Sequence, residues 1–177
     1  MDLSQQRMKV RIKWMVRHDM PEVLAIEAES FDFPWLKEDF IYHLRKRNII
    51  GMVAKCFDED EKVVGFMIYM LQKRKIELLN FGVARKWRRL SIGTQMVEML
   101  KKKLSVERRS SILLRVQERN LGAQLFFRSM GFRALSVERR YWDTDVDAYL
   151  MVHRLRQSMV DDDSESYSYR GEDASHF

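Results

Sequence analysis

Only one cysteine, two prolines and seven glycines occur in the 177 residues. A single cysteine excludes an internal disulfide and fits a reducing compartment, which points to the cytoplasm. Cys56 itself reads as a small buried strand residue rather than a nucleophile. No apolar run approaches the ~18 residues of a membrane span. The opening Met1-Asp2-Leu3-Ser4-Gln5-Gln6 lacks the basic-then-apolar order of a signal peptide. The four histidines, His18, His43, His153 and His176, show no metal-ligand spacing, so no metal is expected. Neither a Walker loop nor the G-x-G-x-x-G dinucleotide fingerprint is present.

The length suits one domain with a real core, and 46% hydrophobic with 33% charged residues describes a globular chain. Charge is unevenly placed. The chain carries +6, yet Asp161 to Phe177 holds six acids against Arg170, a net of −5, which leaves +11 on residues 1–160. A basic body suits anionic partners. Residues 1–157 are expected to form the folded domain, and 158–177 an acidic, disordered tail poor in aliphatic residues.

Read in order, Met8 to Val16 forms a first strand, and Asp19, Pro21 and Glu22 open a helix in a capping-box arrangement. An aromatic loop, Phe31-Asp32-Phe33-Pro34-Trp35, precedes a second helix from Leu36 to Leu44 and the basic cluster Arg45-Lys46-Arg47. Strands over 49–57 and 62–72 flank the polar turn 58–61. Further strands are expected over 76–83, 110–116, 132–142 and 147–155, and helices from about Ile92 and over 120–130. Gly131 closes the last helix. The order β-α-α-β-β-β-α-β-α-β-β predicts an α/β (α+β) chain. Its mixed, mostly antiparallel sheet of seven strands carries helices on both faces.

One stretch organises the rest. Ile76 to Val83 is short and almost wholly apolar, as a strand buried on both faces is. A basic turn from Arg85 to Leu90 follows, then Ser91-Ile92-Gly93-Thr94, then apolar residues at helical spacing. Strand, basic turn, small residues and helix point free N–H groups and a helix dipole at one spot, with arginines beside it. That is a phosphate seat, or in the plainer reading a solvated strand–helix junction.

The order R-R-L-S-I-G-T resembles the pyrophosphate loop of the GNAT superfamily of acetyl-CoA-dependent N-acetyltransferases. Arg88-x-x-Ser91-x-Gly93 stands where that family has glutamine or arginine, then glycine, then glycine or alanine. Ser91 departs from the pattern, and adds a Cβ where glycine allows close approach. Asn120-x-x-Ala123-x-x-x-Phe127-x-x-x-Gly131-Phe132 is similar to a second family segment, with Phe127 in place of tyrosine. Glu29-Ser30-Phe31-x-x-Pro34-Trp35 and Arg140-Tyr141-Trp142 with Asp147 to Met151 resemble RimI-type protein N-terminal (ribosomal-protein-alanine) acetyltransferases. W-R-R-L-S-I-G-T looks close to the loop of NatE-type enzymes. The resemblance spans roughly Arg11 to Leu155.

What the resemblance implies is a GNAT fold with acetyl-CoA in a splay between the fourth and fifth strands. Backbone groups of Phe81, Gly82 and Val83 would bind the pantetheine arm, with the Val83 amide as oxyanion donor. Arg88, Arg89, Leu90, Ser91, Ile92, Gly93 and Thr94 would hold the pyrophosphate, and Asn120 and Phe127 would lie along the cofactor arm. Phe31, Phe33, Pro34, Trp35, Arg115 and Trp142 would flank the acceptor.

Both usual catalytic side chains of the RimI type are replaced, the base by Arg115 and the acid by Phe127. Glu77, in the position of the base of histone-acetylating relatives, is the substitute base, with Tyr141 as the acid. Burial raises the pKa of a carboxylate and a nearby Arg115 lowers it. Glu77 could equally serve only to pair with that arginine.

The expected function is transfer of acetyl from acetyl-CoA to the α-amine of a protein N-terminus, a ribosomal protein among the candidates. Two alternatives stand beside it. One is acetylation of a small-molecule amine or a lysine side chain. The other is a catalytically weakened module that binds acetyl-CoA or RNA. A nucleic acid substrate and a membrane are not expected.

Overall fold

The computed structural model of the chain describes residues 7–57, 61–141 and 145–155. Seven strands form one sheet in the order β1-β2-β3-β4-β5-β7-β6. They are β1 Val10–Trp14, β2 Ile49–Cys56, β3 Val63–Leu71, β4 Lys75–Val83, β5 Ser111–Gln117, β6 Arg133–Glu138 and β7 Ala148–Arg154. All neighbours run antiparallel except β4 and β5. Helices α1 (Met20–Ser30) and α2 (Lys37–Leu44) precede β2, α3 (Ile92–Lys101) joins β4 to β5, and α4 (Leu121–Ser129) joins β5 to β6. This is the expected element order. The proposed tail, Trp142 and most of the turn 58–61 lie outside the described residues.

Each face of the sheet has its own core. On one, Val23 and Ile26 of α1 and Phe40 of α2 pack on Val53, Phe66 and Ile68. On the other, Ile92, Met96, Val97 and Leu100 of α3 cover Met67, Ile76, Leu78, Ile112 and Leu114. The four α3 residues follow the 3.6 period and are all buried. Each removes enough apolar surface from water to contribute about 1.5–3 kcal/mol. Short local propensity could not supply that; packing holds the helix.

β4 is not the doubly buried strand its composition suggests. Ile68 pairs with Asn80 but Tyr69 pairs with Leu78, so Leu79 is an extra residue, a β-bulge. The bulge reverses the phase of the side chains. Before it, Ile76 and Leu78 face α3; after it, Phe81 and Val83 do, while Leu79 joins the α1 core. Two alternating halves out of phase read together as one continuous apolar run. β5 likewise buries only Ile112, Leu114 and Val116 on one face.

One local expectation changes. Asp19 precedes α1 but does not cap it with its side chain. A 3-10 turn over Arg17–Asp19 leads into the helix, and the buried Asp19 carboxylate accepts from Val16 N (2.9 Å) and pairs with Lys55 Nζ (2.6 Å). Glu22 accepts instead from Val63 N on β3 (3.1 Å). On α4, Leu121 and Leu125 are exposed and Phe127 is the buried residue. Gly131 does end that helix, at φ +85°, where a side chain would be strained.

Candidate active site

The parallel ladder of β4 and β5 runs only from Lys75–Ser111 to Leu78–Leu114. It ends at the bulge. Beyond Leu78, the β4 residues Asn80 to Val83 pair with β3 alone, and β5 pairs onward only with β7. The sheet therefore opens between the upper halves of its two central strands. The expected splay is present, and the extra Leu79 sits at its root.

The loop after β4 closes the top of this opening. A 3-10 turn covers Arg85–Trp87, then Arg89 and Ser91 adopt left-handed φ of +66° and +60°. Left-handed residues in such a turn tilt successive N–H groups toward one side, a concavity suited to an anion. Ser91 stands at the N-cap of α3 with no side-chain hydrogen bond to the helix, and the first turn holds no acid. The leading N–H groups of α3 thus have no capping side chain. Serine fits the left-handed position less readily than glycine would, yet the turn forms. Gly93 matters for contact: an added Cβ would lie 3.2 Å from the Phe126 ring and 3.5 Å from Phe81. Gln95 fastens the loop to the start of the sheet, donating to Met8 O (2.6 Å) and accepting from Val10 N (3.4 Å), while Met8 N donates to Leu90 O (3.2 Å). The seat has the character an anion such as a pyrophosphate needs, with the leading N–H groups of α3 and the exposed Arg89 beside it, while Arg88 N is taken up by Arg85 O (3.3 Å).

The Arg88 side chain points elsewhere. Its Nε donates to Val83 O (2.9 Å) and its Nη2 to Ser30 Oγ (2.9 Å). Arg85 N donates to Glu29 Oε1 (2.6 Å) and Arg85 Nη2 to Glu29 O (3.2 Å). The Glu29-Ser30 part of the sequence motif therefore ties the end of α1 to the phosphate loop. Asn120 is occupied in the fold, its Oδ1 accepting from Ala123 N (3.0 Å) to cap α4. Phe127 is buried edge-on to Phe81, Phe126 and Phe132 rather than lining an arm with a hydroxyl. Gly82 is needed for close approach, since a Cβ there would meet the Phe66 ring at 2.8 Å.

The aromatic loop divides by role. Trp35 stacks on His43 (centroids 4.4 Å apart) and meets Phe40 edge-on, so it is an anchor. Phe31 and Pro34 are half-buried, and Phe33 is 69% exposed. Phe33 is the aromatic free to meet a ligand.

Two carboxylates stand on the α1 face of β4. Glu77 accepts hydrogen bonds from Arg115 Nη1 and from Gln72 Nε2, the latter at 2.8 Å. Arg115 also pairs with Glu138 through Nε (2.6 Å), and its guanidinium lies over the Tyr141 ring (4.6 Å). Glu77, Arg115, Glu138 and Tyr141 thus form one half-open cluster beside the splay. The donors of Arg115 go to these carboxylates. Burial raises the Tyr141 pKa above the ordinary range; Arg115 opposes this, and Glu77 and Glu138 add to it.

The second carboxylate is Glu27, on α1 and 1% exposed. Its Oε1 accepts from Trp35 N (2.7 Å) and its Oε2 from Asn80 Nδ2 (3.0 Å). Burial raises its pKa, while the bonds from Trp35 and Asn80 pull it down. Sequence reasoning passed over this residue. The signal was its place on the α1 stripe, where Val23, Ile26 and Glu27 share one face. Glu27 joins the aromatic loop to the strand just past the bulge.

Among the described residues, no three His, Cys, Asp or Glu side chains gather as a metal would require. No described helix is long and apolar enough to cross a membrane.

Residues 20–132 match the model of the Acetyltransferase (GNAT) family. A ribosomal protein bS18-alanine N-acetyltransferase of Salmonella typhimurium is 24% identical over 127 residues, covering 71% of this chain and 82% of its own. An N-alpha-acetyltransferase of Sulfurisphaera tokodaii is 26% identical over 150 residues, with 77% and 88% covered. The crystal structure of the Escherichia coli ribosomal-protein-alanine N-acetyltransferase superposes with a TM-score of 0.72 at 21% identity, over 85% of this chain and 97% of that one.

Proposed function

The chain belongs to the GNAT acetyltransferase family, and from that premise we propose that it transfers acetyl from acetyl-CoA to the α-amine of a protein N-terminus. One observation carries the reading: the splay past Leu78–Leu114 lies below a phosphate loop and beside an aromatic loop fastened to it through Glu29 and Ser30. A thioester held in that gap would be approached from the Phe33 side. The names of the Salmonella and Sulfurisphaera relatives, both acetyltransferases of protein N-termini, support the same acceptor, and the former makes a ribosomal protein the first to try. The single, buried Cys56 suits a cytoplasmic site of action.

Acetyl-CoA supplies the activated acyl group. The acceptor nitrogen attacks the carbonyl carbon, the C–S bond breaks, and CoA leaves as its thiolate; no enzyme nucleophile is required. The Val83 N–H donates to the carbonyl oxygen as negative charge develops there. Glu77 takes the proton the amine must lose, directly or through water, and Arg115 holds that carboxylate in place. Tyr141 returns a proton to the thiolate.

The test is CoA release from acetyl-CoA with a panel of short free-amine peptides, wild type against Glu77→Gln. Turnover that falls roughly 10²–10⁴-fold in the variant, with acetyl-CoA binding kept, is the expected result. Turnover unchanged by the substitution removes Glu77 from the mechanism. Acetyl-CoA binding without acetylation of any peptide would favour the weakened-module reading, for which Phe127 in the place of a tyrosine speaks.

A further inference from the structure

β4 and β5 run parallel, so the sheet end at Lys75 and Ser111 lies opposite the splay. Three basic loops meet there. Arg45-Lys46-Arg47 leads into β2, where Leu71 N donates to Asn48 O (2.7 Å). Lys73 and Arg74 form the β3–β4 turn, and Lys102 to Arg109 follow α3. The last two loops enclose a cleft of about 470 Å³ lined by Lys73, Arg74, Arg108, Arg109, Val106, Glu107 and Ser110. Among the described lining residues, Glu107 is the single carboxylate against four cations. Arg109 is fixed, its Nε donating to Gln72 O (2.7 Å), while Lys73, Arg74 and Arg108 are exposed.

The chain leaves the described fold at this same cleft. β7 is antiparallel to β5, Arg154 lies opposite Ser111, and Leu155 N donates to Ser110 O (2.7 Å). Six residues later begins Asp161-Asp162-Asp163-Ser164-Glu165, followed by Glu172 and Asp173. Six residues reach about 20 Å when extended, further than the cleft is from Ser110, one of its own lining residues. Carboxylates tethered so closely to an unneutralised basic cleft are present at an effective concentration in the millimolar range.

We propose that this basic cleft is a docking site for a carboxylate-rich peptide, and that its resident occupant is the chain's own acidic segment 161–173. The inference does not depend on the acetyl-transfer reading, because the cleft and the splay are at opposite ends of the sheet. The docked segment neutralises the surface that would otherwise hold polyanions, so RNA or another phosphate polymer binds there only by displacing it.

The experiment is zero-length carbodiimide cross-linking of the full chain at low ionic strength, in an equal mixture of light and isotopically heavy protein. Cross-links should join acids of 161–173 to Lys73, Lys102 or Lys103 within one molecule, and disappear in about 0.5 M salt, where the screening length is only a few ångströms. Links spread evenly over remote lysines such as Lys9, Lys37 and Lys86, or links mainly between light and heavy molecules, would overturn the proposal. A thermodynamic cycle gives an independent reading. Changing the six tail acids to their amides should tighten binding of a heparin oligosaccharide about tenfold, but not when Lys73, Arg74 and Arg108 are already glutamine. Equal tightening in both backgrounds would mean a general charge effect and no docking.

Discussion

Glu27 and Glu77 stand on the same face of the same sheet and lead opposite lives. Glu27 is enclosed, and its two partners are the neutral N–H groups of Trp35 and Asn80. Glu77 is half-open to solvent and held by a guanidinium. A buried carboxylate with only neutral donors stays expensive to ionise, and burial accordingly raises the Glu27 pKa. The enclosed carboxylate ties the aromatic loop to the sheet, and the other, with 15% of its side chain exposed, is the one solvent reaches.

The largest blow to this contrast is Glu27→Ala. It leaves the Asn80 amide and the Trp35 N–H buried without partners, and chemical denaturation should register a loss of about 3 kcal/mol. If the folded fraction is active, KM for peptide should rise more than kcat falls, because the aromatic loop is released from β4. An unchanged KM would deny Glu27 its part in positioning that loop.

Arg115→Met attacks the other side. It strips the cation from Glu77 and Glu138, and a loss of about 2 kcal/mol is expected for a partly solvated pair network. Glu77 also loses the guanidinium that holds it, so kcat/KM should fall along with stability, and a kcat/KM left unchanged would show that Arg115 does not position the base.

The mildest probe is Glu27→Gln. The folded-state pKa of Glu27 is raised, so the folded chain binds its proton more tightly than the unfolded one. The resulting contribution is complete below the unfolded value of about 4.5 and is lost as pH rises through the folded pKa. Wild type should gain on the glutamine variant, by under about 1 kcal/mol, as denaturation is repeated from pH 7 down to 4.5. A gap independent of pH would mean Glu27 titrates normally.

Much of this was readable from the chain because the governing contacts are local. The helix from Ile92 to Lys101 follows a 3.6-residue pattern, and Gly131 marks the end of α4 by backbone geometry alone. What escaped reading depends on distant partners. Glu27 meets Asn80 across 53 positions, and Asp19 finds Lys55 on β2 rather than the helix it precedes. The bulge hides differently: Leu78-Leu79 looks like uninterrupted apolar sequence, and only the pairing with Ile68 and Tyr69 shows one leucine to be surplus. At the candidate site, the pairing of Arg115 with Glu77 was foreseen as one option, but the part of Glu138 was not, since it comes from an edge strand 23 positions on.

The contact between Met8 and the phosphate loop has a practical side. Met8, just ahead of β1, shares hydrogen bonds with Leu90 and Gln95 at the anion seat. The seat is thus assembled in part from a segment 87 positions away from Gln95. A change that frays the first strand should weaken anion affinity without touching a single residue of the loop. Variants of β1 should therefore be compared by their CoA affinity before any difference in turnover is credited to the chemistry.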